Sequence, residues 1–217
     1  GTAWWTADGH VTVWCSSQGH FGIRDNTARI LGLPASKVKV VPMEIGGGFG
    51  GKLPAYLEPV AAVLSRKSGS PVKMTMTRTE VMEATGPTSG AYVKAKIGVT
   101  NKGKITAAYG YLAFEAGAFP GSPVGGATGC MFSPYNIENV LVDAYDVADN
   151  KPKTTAYRAP GAPIGALAVE TIVDEICETL GIDPMDFRIL NGAKEGTRRA
   201  NGVVNGPIGM LETAEAV

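Results

Sequence analysis

Gly46–Lys52 reads GGGFGGK, five glycines in seven residues. A backbone without Cβ atoms can approach a ligand closely and aim several N–H groups at it. The flanking pattern puts a strand before the loop and a helix after it, so a helix N-terminus adds positive potential. Two ligand chemistries fit the spacing. Gly46-x4-Gly51-Lys52 matches the first seven positions of a phosphate-binding P-loop, but Leu53 stands where the Mg²⁺-ligating hydroxyl belongs. Gly46, Gly48 and Gly51 also fit a dinucleotide-binding GxGxxG, but the next strand ends at Thr77-Arg78 without an acidic ribose ligand. The purely structural alternative is a turn that lets a helix and a strand pack closely. Phe49, a large apolar side chain among five glycines, argues for a pocket wall instead.

Other chemistry-bearing residues are sparse. Cys15, Cys130 and Cys177 contain no CxxC pair, which argues against a zinc ribbon or an iron–sulfur site and for reduced thiols in a cytoplasmic protein. The two histidines, His10 and His20, read as structural or surface residues, though His20 lies two positions from Gln18. Composition excludes whole classes. Twenty basic residues balance twenty acidic ones, so the basic excess of a nucleic-acid or anionic-membrane binder is missing. An apolar share of 44% argues against a disordered chain, and no apolar run is long enough for a membrane span. Glycine, at 29 of 217 residues, is about twice as frequent as usual and has no collagen period. The chain opens on Gly1 without an initiator Met, which suggests a processed or excised piece.

The elements that must position these residues follow from periodicity. Strands are expected over residues 11–15, 37–43, 72–77 and 139–148. Helices are expected over 21–31, 56–68, 164–180 and 184–190, with Asp183 as N-cap and Pro184 in the first turn. Residues 92–100 and 105–114 form a hairpin around Asn101-Lys102-Gly103, with Val93, Ala95, Ile97 and Val99 on one face and Lys94 and Lys96 on the other. On the 164–180 helix, Glu170, Asp174 and Glu178 make a solvated stripe opposite Val169, Ile172, Val173, Ile176, Cys177 and Leu180. Residues 117–134, dense in Gly, Pro and Ser, read as a loop. The mixed order with a hairpin meander points to an α+β fold, a mixed or antiparallel sheet with packed helices. Residues 1–200 are expected as one domain part, and 201–217 as the start of a following subdomain with a helix near Met210.

Four stretches together resemble the molybdopterin-binding large subunit of the xanthine dehydrogenase/aldehyde oxidase family. They are Ser16-Ser17-Gln18, the Gly46–Lys52 loop, Thr155-Ala156-Tyr157-Arg158-Ala159-Pro160-Gly161, and the segment from Leu180 to Arg188. The resemblance covers essentially the whole chain. It implies that Gln18 hydrogen-bonds an apical ligand of the molybdenum, that the amides of Phe49 and Gly50 face the metal centre and cofactor, and that Gly48 and Gly51 belong to the same cofactor-binding set. It also implies that Arg158 helps hold the site.

The implied activity is hydroxylation of a carbon centre with water as the oxygen source, with electrons leaving through iron–sulfur clusters and FAD in partner subunits or domains. The implied cofactor is molybdopterin, its cytosine dinucleotide form being one option. The family's general-base glutamate lies in a G-x-G-E segment that this chain does not contain, so no catalytic residue is expected here and Glu44, Glu58 and Glu115 are not assigned that role. The chain is then expected to need the rest of its subunit, in a homo- or hetero-oligomer, with no nucleic acid or membrane as partner.

Departures from the family pattern narrow the substrate. Purine-oxidising members carry Glu where Leu53 stands, and an Arg in the loop that here spans residues 121–134 without one. Carbon monoxide dehydrogenases carry Cys where Ala159 stands. An aldehyde or an N-heteroaromatic carbon remains, with Leu53, Phe119, Val124 and Met131 as expected pocket residues. The competing expectation is a non-catalytic nucleotide- or cofactor-binding module that uses the same Gly46–Gly51 loop.

Overall fold

The alternation VTVWC buries Val11, Val13 and Cys15 on one side, and makes Val11–Cys15 a strand, β2, paired with β1 (Thr2–Trp5) in an antiparallel hairpin. The computed structural model describes residues 1–217, and these form two compact units. The first is Gly1–Thr88 with Thr155–Arg158; the second is Ser89–Thr154 with Ala159–Val217. The tail 201–217 lies within the second unit.

In the first unit the sheet order is β3-β2-β1-β4, with β3 (Val38–Pro42) parallel to β2 and β4 (Val72–Lys73) antiparallel to β1. Helices α1 (His20–Leu31) and α2 (Glu58–Ser68) cover it. Ala61 and Ala62 are fully buried beside Ala3, Val11, Val13 and Ile23, so small side chains bring α2 close to the sheet. Gly32 and Gly69 end the two helices in left-handed conformations that glycine adopts without a Cβ penalty.

Two elements depart from the sequence reading here. The strand expected over 72–77 stops at Lys73. Thr77 instead caps α3 (Arg78–Ala84): its Oγ1 accepts from Glu80 N at 3.3 Å, while Thr77 N donates to Glu80 Oε2 at 2.7 Å. That reciprocal capping box outcompetes strand propensity. The helix expected from Tyr56 begins two residues later, at Glu58, with Pro59 in its first turn as expected.

In the second unit, β5 (Ala91–Val99), β6 (Ile105–Gly117) and β7 (Asn139–Ala148) form a sheet in that order. The hairpin is as the sequence predicts, with Gly103 at φ 78° in its turn and Val93, Ala95, Ile97 and Val99 packed on the core. β7, however, runs parallel to β6, and a parallel neighbour requires a crossover. Part of that crossover is α4 (Val124–Met131), which corrects the reading of residues 117–134 as loop throughout.

One glycine of α4, Gly126, serves close approach. A Cβ at Gly126 would lie 2.3 Å from Pro160 O. On α5 (Ala162–Leu180), a Cβ at Gly165 would lie 3.0 Å from Ala127 O. The core joins Leu112 and Phe114 of β6 to Met131, Val169, Val173, Cys177 and Phe187. Asn191, fully buried at the end of α6 (Pro184–Asn191), accepts from Ile105 N and donates to Gly103 O and Phe187 O, fixing α6 to the hairpin turn. Glu170 does not belong to a solvated stripe: it accepts from Tyr135 Oη at 2.8 Å and from Arg188 at 2.7 Å. Burial, then the Glu170 carboxylate, raises the Tyr135 phenol far above its ordinary range. A last short helix, α7 (Met210–Glu215), matches the helix expected near Met210. No helix is long and apolar enough to cross a membrane.

Candidate functional site

Within the first unit, residues 43–57 leave β3 and return to α2, and the glycine loop lies in this connection. Its backbone visits the left-handed region at Gly46 (φ 64°), Gly47 (φ 112°), Phe49 (φ 51°) and Gly50 (φ 100°). Phe49 is the strained member, because a bulky residue rarely holds such a φ, at a cost of order 1–3 kcal/mol. Its ring is 60% exposed, so packing of the ring does not explain the conformation. The backbone bonds do: Arg158 N donates to Phe49 O at 2.8 Å, and Gly51 N to Gly48 O at 2.8 Å. Gly50 is required by close approach as well as by φ, since a Cβ there would lie 2.4 Å from Ala156 O.

Gln18 explains the other close approach. Its Oε1 accepts from Gly50 N at 2.9 Å and from Lys52 N at 3.2 Å. A Cβ at Gly48 would lie 2.4 Å from that same oxygen. The amide's acceptor end is therefore spent on the loop, and its Nε2 end, which can only donate, has no partner in the chain.

Lys52 acts as a staple. Its Nζ donates to Ile45 O at 2.5 Å and Ser16 Oγ at 3.1 Å, and Ser16 Oγ donates to Glu44 O at 2.7 Å. Ser17 Oγ and Gln18 N both donate to Lys52 O, each at 3.0 Å.

What remains unspent defines the chemistry. The N–H groups of Gly46, Gly47, Gly48 and Phe49 find no acceptor in the chain, and the Arg158 guanidinium makes neither an ion pair nor a hydrogen bond. The loop therefore offers four unpaired N–H groups beside the Gln18 NH2, and its Gly46, Gly47 and Gly50 carbonyl oxygens are unpaired as well. Clustered N–H donors of this kind suit a ligand with anionic acceptor oxygens. No group of three or more His, Cys, Asp and Glu side chains could hold a metal ion directly. Below the loop, burial pushes the Cys15 thiol up to about 11, assisted by the Glu58 carboxylate, so this thiol is inert at neutral pH.

The sequence-predicted residues divide clearly. The structure brings Gln18, Gly48, Phe49, Gly50 and Gly51 together with the backbone of Arg158. The helix N-terminus expected beside the loop is not there: α2 starts at Glu58, six residues after Lys52. Leu53 belongs to the first unit and is 44% exposed. Phe119, Val124 and Met131 belong to the second, where Phe119 is 67% exposed and Val124 is half-buried. Met131 is a core residue, 1% exposed, and a Cβ at Gly110 would lie 2.6 Å from its Sδ. Of the acidic residues, Glu58 caps Tyr56 N, and Glu115 pairs with Lys151. The sequence reading missed Lys52, Ser16 and Ser17 as the loop's fasteners. Two serines directly before Gln18 were the available signal.

Both loop alternatives lose their geometric support. In a P-loop the lysine reaches the phosphates, but here Nζ is bound to Ile45 O and Ser16 Oγ. In a dinucleotide fold the strands flanking the helix are neighbours, but β3 and β4 lie at opposite edges of their sheet. Arg78 opens α3 rather than a strand end.

Comparison with known proteins agrees with the donor chemistry. The family model described as the molybdopterin cofactor-binding domain matches residues 1–192. The nicotinate dehydrogenase large molybdopterin subunit of Eubacterium barkeri is 33% identical over 99% of this chain and 52% of its own length. The aldehyde oxidoreductase molybdenum-binding subunit PaoC of Escherichia coli K12 is 34% identical over 83% of this chain and 25% of its own. Among solved structures, quinoline 2-oxidoreductase from Pseudomonas putida 86 shares the fold with a TM-score of 0.92 at 22% identity, over 99% of this chain and 29% of that one. The chain spans about half or less of the length of these relatives.

Proposed function

From the premise that the chain belongs to the molybdopterin cofactor-binding domain family, we propose that it supplies part of the cofactor site of a molybdenum hydroxylase. That enzyme would oxidise an aldehyde or an N-heteroaromatic carbon with water as the oxygen source. The observation that carries the proposal is the set of unpaired donors: Gln18 Nε2, the Gly46–Phe49 amides and the Arg158 guanidinium. These residues fit the group. Molybdopterin carries a phosphate and an oxygen-rich metal centre, and the unpaired N–H, NH2 and guanidinium groups here can donate to such acceptors.

When bound, the cofactor would supply the two-electron oxidation of the substrate carbon. The chain's own part is positional. Gln18 uses its Oε1 to hold Gly50 and Lys52, which aims Nε2 at one side of the ligand as a donor. The loop amides are fixed before binding by Lys52, Ser16 and Ser17, so little ordering remains to be done when the ligand arrives. Arg158 anchors Phe49 through its backbone and keeps its guanidinium for negative charge. The general base is assigned outside this chain.

Relatives named for nicotinate and aldehyde oxidation are compatible with those substrate classes, and others of similar identity are named as xanthine dehydrogenase subunits. Iron–sulfur and flavin groups in partner subunits or domains would carry the electrons away. In this reading residues 1–200 form the first part of the cofactor domain, and 201–217 lead into the next part of the subunit.

The test is to purify the full subunit with its neighbours, denature it and weigh the released cofactor. Molybdenum with a pterin is expected, and turnover of nicotinate, quinoline or an aromatic aldehyde. ATP or NADP without metal would overturn the proposal in favour of a nucleotide-binding module.

A further inference from the structure

Within the first unit, the strap Thr155–Arg158 is placed by hydrogen bonds rather than by burial. Thr155 and Ala156 are half-buried, and Tyr157 and Arg158 are exposed, so no apolar side chain roots the strap in the core. Its grip lies at its two ends. At the start, Thr155 donates to two consecutive carbonyls, from N to Pro87 O at 2.9 Å and from Oγ1 to Gly86 O at 2.8 Å. At the end, Arg158 N donates to Phe49 O at 2.8 Å. The amides of Ala156 and Tyr157, between these grips, find no acceptor in the chain.

The acceptors at the start are themselves held. The ring of Pro87 locks its φ. Gly86 N donates to the Tyr56 phenol oxygen at 3.3 Å, and Tyr56 lies on the same connection as the glycine loop. A closed circuit results. It runs along the chain from Phe49 to Tyr56, across to Gly86, across to Thr155, along the chain to Arg158, and back to Phe49 O. Such a circuit fixes where the root of the unpaired Arg158 side chain stands beside the Gly46–Phe49 amides. An exposed strap gripped at one end only opens at little cost, and a cation that must be re-ordered by its ligand binds that ligand less well.

We infer that Thr155 is a positioning residue: its grip on Gly86 and Pro87, backed by the Tyr56 phenol, holds Arg158 in place for an anionic group of the ligand at the glycine loop. This rests on the proposed function above and deepens it, by naming what fixes the cation of that site.

Two measurements on the full-length, assembled protein test this. The first needs no activity and uses the cofactor-free form. Amide hydrogen exchange is followed over residues 155–158 and 46–51 in wild type, Thr155→Val, Thr155→Ser and Tyr56→Phe. Removing one hydrogen bond of the grip should speed exchange at the strap about fivefold in Thr155→Val and about twofold in Tyr56→Phe. Thr155→Ser, which keeps the hydroxyl, should exchange as wild type. Unchanged exchange in Thr155→Val, or an equal change in Thr155→Ser, would overturn the grip. The second measurement is pterin retained per protein after gel filtration. Thr155→Val should lower it about fivefold and Arg158→Gln about tenfold, with Thr155→Ser again as wild type. The double variant should stay close to the loss in Arg158→Gln alone, because the grip matters only through that cation, and well short of the about fiftyfold product of independent effects. Losses that multiply, or full retention in Arg158→Gln, would overturn the positioning role while leaving the proposed function standing. Wild-type preparations without pterin would overturn the proposed function and the role at its ligand; the exchange result then decides the grip alone.

Discussion

Replacing Lys52 with Met separates a loop staple from a phosphate ligand. The substitution keeps an unbranched side chain one atom shorter and removes two hydrogen bonds from an ammonium group, to Ile45 O and Ser16 Oγ. Hydrogen bonds of a charged group are worth about 1.5–3 kcal/mol each when well buried. Lys52 is only half-buried, so water compensates in part and the combined loss is about 1–2 kcal/mol. That is roughly a five- to thirtyfold shift toward loop conformations in which the Gly46–Phe49 amides no longer converge. Two assays read it. Urea unfolding of the cofactor-free protein should lose about 1–2 kcal/mol, and cofactor retained through gel filtration should fall by about tenfold. Lys52→Gln, which keeps a neutral donor, should recover part of both. The reasoning is refuted if Lys52→Met leaves stability and cofactor retention unchanged, or if it abolishes ATP binding while the loop amides exchange as in wild type.

Other substitutions probe the remaining geometry. Gly50→Ala places a Cβ 2.4 Å from Ala156 O at a φ of 100°, so it should cost about 2–4 kcal/mol and empty the cofactor site; wild-type melting and full molybdenum content would contradict this. Gln18→Glu keeps an acceptor for Gly50 and Lys52 but removes the free NH2 and adds negative charge, so the fold should hold while turnover falls more than tenfold, read by calorimetry and steady-state kinetics. Asn191→Ala strands Ile105 N and Gly103 O in a buried setting and should cost about 2–4 kcal/mol in urea unfolding, without moving the KM of any variant that still folds. Cys15 has its thiol raised from 9.0 to about 11 by burial, so the native state holds the proton more tightly than the unfolded chain. Its stabilising contribution is complete below about pH 9 and fades as pH rises through 11. Iodoacetamide at neutral pH should therefore label the exposed Cys130 and spare Cys15 and Cys177 until the protein is denatured, as peptide mass spectrometry would show.

Local patterns carried most of the elements. Alternation placed β2 and β7 to the residue, and the Asp183-Pro184 pair placed the start of α6. The failures occurred where composition stood in for geometry. VGGATGCM looks like loop because three glycines weaken a helix, yet at Gly126 the missing Cβ lets α4 sit against the Pro160 carbonyl, and Gly165 of α5 makes room for Ala127. Thr77 looked like the end of a strand until its bond with Glu80 was counted. In both cases the deciding interaction was absent from the periodicity being read.

The site shows the same division more sharply. A glycine loop announces in sequence that a backbone must come close to something, but not to what. Here two of its glycines are consumed by the protein itself: Gly48 makes room for Gln18, and Gly50 for Ala156. The lysine that completes a P-loop signature is also consumed, by Ile45 O and Ser16 Oγ. Gln18 and Gly50 are 32 residues apart, so no local pattern could reveal that the amide oxygen was already committed. Once those internal bonds are subtracted, four N–H groups of the loop remain unpaired and available to an anionic ligand, while the lysine of a P-loop does not.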